Sequence, residues 1–142
     1  MKPEETLDYF LKIVWQNVAN KYNQIASKHG ITQALGYMLI NVREEGIAVS
    51  QIALLSGVKS TSLSRMLKNM EELGLIYREA DPADKRSVKI FLTDFGKEKR
   101  QVAKDVVRRF NEYLNGHIME NERLALTESL KKINQLTLDY KP

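Results

Sequence analysis

Two short stretches of the chain concentrate side chains that hold anions: Lys59-Ser60-Thr61-Ser62-Leu63-Ser64-Arg65 followed by Lys68, and Asp84-Lys85-Arg86-Ser87. Short hydroxyls and the backbone N–H groups of a helix start bind phosphate, and arginine pairs with the acceptor edge of guanine through two hydrogen bonds. Other chemistries are thinly supplied. The 142 residues contain no cysteine, which removes disulfides, thiolate nucleophiles, cysteine-ligated zinc and sensing by thiol oxidation. The two histidines, His29 and His117, are far apart in sequence and each sits beside a glycine. Such positions suit surface or capping residues better than a metal ligand or a general base. The pairs Glu4-Glu5, Glu44-Glu45 and Glu71-Glu72 are adjacent on helical patterns, so their carboxylates diverge rather than converge on a substrate. Neither a Gly-rich phosphate loop nor an H-x-x-x-H spacing occurs. The expectation is a protein that is not an enzyme, with no catalytic residues, no metal and no cofactor.

The framework around these residues reads as one globular domain. With 43% hydrophobic and 28% charged residues, the chain can bury a core without disulfide or metal staples, which a disordered or fibrous sequence cannot. A net charge of +4 permits a polyanionic partner without requiring one. No apolar run approaches the roughly 18 residues that span a bilayer, and the first residues lack the basic, apolar, then small order of a secretion signal. A cytoplasmic protein with no membrane partner is expected.

Hydrophobic spacing predicts a long amphipathic helix over Glu4–Lys28, with Leu7, Leu11, Val14, Val18 and Ile25 on one stripe and Phe10, Trp15 and Tyr22 beside it. His29-Gly30 ends it. Thr32 is placed to cap a second helix that turns Leu35, Met38, Leu39 and Val42 inward and is closed by Gly46. A short helix is expected near Ser50–Ser56, with Gly57 turning the chain sharply into a fourth over about Ser60–Leu73. That helix carries Leu63, Met66, Leu67, Met70 and Leu73 on one face. Gly74 suits the left-handed residue after it, with Leu75 contacting Met70. Leu75–Ala80 and the alternating run Ser87–Leu92 form two short strands about Asp81-Pro82. Thr93 opens an unusually long helix carrying Phe95, Val102, Val106, Phe110, Tyr113 and Leu114, and a last helix covers Asn121–Leu138 with Leu126, Leu130 and Ile133 on its stripe. The predicted fold is mainly α with a small β-hairpin wing: a winged helix-turn-helix core, whose second paired helix enters a major groove, between long terminal helices.

The placement of charge agrees with that role. At about 100° per residue, Thr61, Ser64, Arg65, Lys68 and Glu72 fall opposite the apolar stripe of the Ser60–Leu73 helix. Cations and hydroxyls come first, and Glu71 and Glu72 come last. This reverses the order that a helix dipole favours, at about 0.3–1 kcal/mol per charge, and calls for an anionic partner at the N-terminal end. The hairpin tip, Asp81–Ser87, puts Lys85 and Arg86 where a long cation reaches an adjacent minor groove or phosphate.

Four runs, in this order, resemble the MarR (multiple antibiotic resistance regulator) family: Lys59–Leu67, Leu73-Gly74-Leu75-Ile76, Asp81–Ser87, and Leu92-Thr93-Asp94-Phe95-Gly96. The Asp-x-Arg-Ser run at Asp84–Ser87 is the most specific of them. The resemblance implies a transcription regulator, a repressor, that binds a pseudo-palindromic site in double-stranded DNA as a homodimer. It casts Arg86 as a wing arginine entering the minor groove and Asp84 as the carboxylate that orients it. Lys59, Ser60, Thr61, Ser62, Ser64, Arg65 and Lys68 become recognition-helix contacts, and Lys85 and Ser87 further wing contacts. Residues 1–30 and 94–142 would be the helical dimerisation region of a single domain, and 31–93 its DNA-binding core. It also implies a small aromatic or anionic effector, for which Trp15, Tyr22, Tyr37 and Arg43 are the candidate cleft, although packing alone explains those side chains. The alternative is a winged-helix module that binds protein and not DNA, a role in which the cationic wing and the basic helix start would have no use.

Overall fold

In the computed structural model, which describes residues 1–56 and 58–142 and Lys85 by its backbone alone, helix starts and stops have identifiable local causes. The turn expected at Gly57 lies outside the described residues. The first helix, α1 (Leu7–Ser27), begins at the first residue of its hydrophobic stripe and not at Glu4 as expected, because Pro3–Glu5 form a 3₁₀ turn and Thr6 is extended, its hydroxyl donating to the Pro3 carbonyl at 2.7 Å. Thr32 caps α2 (Gln33–Asn41) as predicted, accepting the Leu35 N–H at 3.1 Å. Gly46 does not close this helix. Val42 already leaves helical geometry at ψ 112°, and Gly46, at φ +81°, instead ends the turn that begins at Arg43. A side chain there would meet the Phe91 ring at 2.7 Å, so glycine is required twice over.

That turn delivers a strand too short to be read from the sequence, β1 (Ile47–Ala48), followed by α3 (Val49–Ser56) and α4 (Ser60–Glu72). The strands β2 (Ile76–Asp81) and β3 (Asp84–Leu92) pair antiparallel, and β1 adds to β3. The predicted hairpin is therefore part of a three-stranded sheet ordered β1-β3-β2. Thr93 then starts α5 (Asp94–Asn115): its hydroxyl accepts the Gly96 N–H at 3.0 Å and donates to the Gly74 carbonyl. The last helix is α6 (Glu120–Asp139).

The chain divides into two compact units, residues 1–106 and 107–142. Among the described residues every buried hydrophobic lies in the first, between Ala26 and Ala103. Leu35, Met38, Leu39 and Val42 from α2 meet Ile52 of α3, Leu63, Leu67 and Met70 of α4, and Ile47, Ile76, Ile90 and Leu92 from the sheet. Of the stripe predicted on α1, Leu7, Leu11 and Val14 stay exposed while Val18 and Ile25 are half-buried, and the helix's one buried residue is Ala26. In the second unit α6 buries none of its residues. Among the described residues no helix is long and apolar enough to cross a membrane.

Candidate nucleic-acid interface

Burial of Leu63, Leu67 and Met70 fixes the orientation of α4 on the core. Lys59, Ser60, Thr61, Ser62, Ser64, Arg65 and Lys68 consequently all lie exposed. Lys59 occupies the N-cap without a side-chain cap, and the first helical bond runs from Leu63 N–H to the Lys59 carbonyl at 2.9 Å. The N–H groups of Ser60, Thr61 and Ser62 thus precede the helical ladder and face outward for an anion.

At the other end the stripe departs from prediction. Leu73 is 48% exposed, because Gly74 at φ +73° swings the chain round and gives Leu75 the buried place. Leu75 N–H reaches the Met70 carbonyl at 2.9 Å and Gly74 N–H the Glu71 carbonyl at 3.0 Å, the paired bonds of a Schellman cap. The acid Glu71 in this last turn is not left for the dipole to oppose: its carboxylate accepts from Arg78 Nε of β2. The reversed charge order of α4 is therefore offset within the chain at Glu71, while Glu72 stays exposed and the basic N-terminal end lies open to an outside partner.

In the wing, Asp81 pairs with Asp84, so the turn itself is Pro82-Ala83. Lys85 and Arg86 are not at the extremity, as the sequence suggested, but inside β3. The next pair, Ala80 with Val88, shows why this matters: residues 85–87 have no counterpart on β2 and form a bulge. A bulge bends a strand and re-aims the side chains it carries. Asp81 Oδ1 accepts the Ala83 N–H at 2.9 Å and shapes the turn, while Asp84 Oδ1 accepts the Arg86 N–H at 3.0 Å. Asp84 therefore acts on the backbone of Arg86, whose side chain is exposed; Ser87 is half-buried.

Of the four residues proposed for an effector cleft, Trp15 and Tyr37 line a cavity of about 490 Å³ with Gln33, Ala34, Met38, Ser56, Val58 and Met66. Tyr22 and Arg43 are not among its lining. Tyr22 lies two helical turns beyond Trp15, roughly 10 Å along the axis, and Arg43 sits in the exposed turn after α2. Tyr37 also donates to the Leu55 carbonyl at 3.1 Å, tying α2 to α3. No group of three or more His, Asp or Glu residues is arranged to hold a metal among the described residues.

Sequence reasoning missed the Glu71–Arg78 pair and the hold of α5 on the α2–β1 turn. In the latter, Arg100 donates to the Val42 carbonyl at 2.9 Å and to Glu44 at 2.8 Å, with Lys97 3.4 Å from the same carboxylate. The Arg100 hydrogen bond, then the Lys97 charge, hold the Glu44 carboxyl below its ordinary value of 4.5. No local pattern signals partners this distant in sequence.

A family model described as the MarR family matches residues 29–87, a span that holds both α4 and the wing bulge. The organic hydroperoxide resistance transcriptional regulator of Bacillus subtilis is 32% identical over 108 residues, 75% of this chain and 73% of that protein. The HTH-type transcriptional regulator SarZ of Staphylococcus haemolyticus is 25% identical over 135 residues, 94% of this chain and 90% of SarZ. A mutant MarR from Escherichia coli, solved in complex with operator DNA, is 26% identical with a TM-score of 0.80, covering 89% of this chain and 92% of that one. With its winged helix and these likenesses in sequence and structure, the chain belongs to the MarR family of transcription regulators.

Proposed function

We propose that the protein represses transcription in the cytoplasm by binding a pseudo-palindromic DNA site as a homodimer. The observation that carries this reading is the uncapped start of α4, where Lys59, Ser60, Thr61, Ser62, Ser64, Arg65 and Lys68 are all exposed on a helix whose opposite face is locked into the core. In the proposed complex α4 enters the major groove, where Arg65 reads guanine and the hydroxyls with the free N–H groups hold phosphate. The bulge that carries Lys85, Arg86 and Ser87, set by Asp84, addresses the neighbouring minor groove. The operator-bound MarR structure, similar over most of both chains, supports the same docking.

The dimer is proposed from surface that the chain leaves uncovered: Leu7, Val14 and Trp15 of α1, and Leu124, Leu126 and Leu136 of α6, are each more than half exposed. Residues 1–30 and 94–142 would supply this interface, leaving 31–93 to the DNA. The cavity at Trp15 and Tyr37 is of small-molecule size. Its described lining is apolar and aromatic with Gln33 and Ser56 as polar groups and no charge, so an uncharged aromatic effector fits it better than an anion.

Selection of bound fragments from a random DNA pool, followed by titration of the best fragment with wild type and Arg86→Ala at two salt concentrations, tests the assignment. An inverted repeat should emerge, with Arg86→Ala binding it more weakly and with a salt slope shallower by about one. No enrichment, with affinity indifferent to salt and to Arg86, would overturn it.

A further inference from the structure

A cation on the core-facing side of the wing is the starting point. Across the sheet, Ile47 of β1 pairs with Ile90 of β3, and Ile90 pairs in turn with Arg78 of β2. Ile47 and Ile90 are buried, as is Ile76, which shares Arg78's face because side chains alternate along a strand. Tyr77, between them, points the other way and stacks on Phe91 at 5.4 Å. The row is thus apolar until its last place, which holds an arginine. That arginine reaches Glu71 in the final turn of α4. Elsewhere over this stretch helix and strand are joined by the Schellman cap at Gly74 and by the packing of Leu67, Met70, Leu75 and Ile76 in the common core.

We propose that Glu71 and Arg78 are positioning residues that fix the wing relative to the recognition helix, so that the bulge at Arg86 and the basic start of α4 meet their grooves in one register. The inference rests on the DNA-binding reading above. Three features support it. The pair bridges the two elements assigned to the two grooves. Its partners are seven residues apart on different elements, so it constrains their angle and not a helix already held by its own ladder. Finally, it neutralises an acid on the element that approaches phosphate, where a bare Glu71 would repel DNA. An inward cation on an edge strand also discourages edge-to-edge pairing, but that function needs no partner on α4.

The test uses the full-length protein and the operator obtained by selection. Glu71→Gln, Arg78→Gln and the charge-exchanged double variant Glu71→Arg/Arg78→Glu are compared by titration, hydroxyl-radical footprinting for the minor groove, dimethyl sulfate footprinting at guanine N7 for the major groove, and thermal melting. Positioning predicts that each single variant binds about three- to five-fold more weakly, in keeping with a half-exposed ion pair. The wing's minor-groove protection should fade while α4's major-groove protection stays, melting should be unchanged, and the double variant should regain affinity and wing footprint. If Arg78 instead touches phosphate itself, Arg78→Gln alone loses affinity with a shallower salt slope, Glu71→Gln binds as well as or better than wild type, and the exchange does not rescue; that result overturns the proposal. Unaltered footprints and affinities in all variants also overturn it. Failure of wild type to select any DNA would strike the underlying function instead, and is read separately.

Discussion

Between Ala26 and Ala103 the apolar stripes close on a single core in which Leu39, Met70 and Ile90 are wholly buried, whereas α1 keeps Leu7, Val14 and Trp15 in solvent and α6 buries nothing. Both regions are helical and both carry stripes at helical spacing, so periodicity does not distinguish them. What differs is the presence of a second surface within the chain. A helix with no buried face gains little from propensity alone, and apolar residues in such numbers on neighbouring turns are the ordinary mark of a surface awaiting a partner. One region is therefore complete in a single chain, and the other is proposed to be completed by a second copy.

The sharpest way to break this contrast is to place charge on the uncovered stripe. Leu126→Glu with Leu130→Glu should leave the winged core folded but convert the protein to a monomer by sedimentation equilibrium. Operator affinity should then fall by about 100-fold or more, because two linked half-site contacts become one. A double variant that stays dimeric and binds normally would show that this face of α6 serves something else.

Glycine provides a matched pair, one in each region. A Cβ at Gly96 would fall 2.0 Å from the Leu75 carbonyl, at the place where Thr93 N–H also meets that oxygen at 3.1 Å. Gly96→Ala should therefore push α5 off the α4–β2 junction and cost about 3 kcal/mol, lowering the melting temperature by more than 10 °C. At Gly116 the nearest atoms to a new Cβ are 3.5 Å away, in ordinary contact. Gly116→Ala should change stability by less than about 0.5 kcal/mol. Equal effects of the two substitutions, measured by urea denaturation, would contradict the contrast between a closed core and an open helical region.

The same contrast explains what could be read from the sequence. Leu35, Met38, Leu39, Leu63, Leu67 and Met70 were legible because each repeats at helical spacing and each is buried. The caps at Thr32, Gly74 and Thr93 were legible because capping chemistry is local. Three features were not. Strand β1 has two residues, fewer than any alternation can mark. The exchange of burial between Leu73 and Leu75 depends on how Gly74 turns, and the position of the bulge depends on pairing register rather than on residue type. At the candidate site, residue types on α4 announced the basic face, but Glu71's partner and the members of the Trp15 cavity come together only when separate elements pack. Tyr22 and Arg43 were drawn into that cavity by aromatic and cationic character alone, which says nothing of distance.

The smallest expected effect concerns the contact between α5 and the α2–β1 turn. Arg100, mostly buried at 14% side-chain exposure, holds both the Val42 carbonyl and Glu44, while Glu44 itself is well exposed. Its carboxyl is depressed below 4.5, first by the Arg100 hydrogen bond and then by Lys97. A carboxyl lowered in the folded state stabilises the fold above its unfolded value and loses that contribution as pH falls through the folded one. Wild type should accordingly be slightly more resistant to urea than Glu44→Gln at pH 7. The gap should narrow below about pH 4.5 and close once Glu44 is protonated, since glutamine resembles the protonated acid. Added salt at pH 7 should shrink the gap as well, because exposure leaves the pair open to screening. A gap that stays constant with pH would mean that Glu44 acts through its shape and not its charge, leaving the Arg100 bond to the Val42 carbonyl as what fixes the turn.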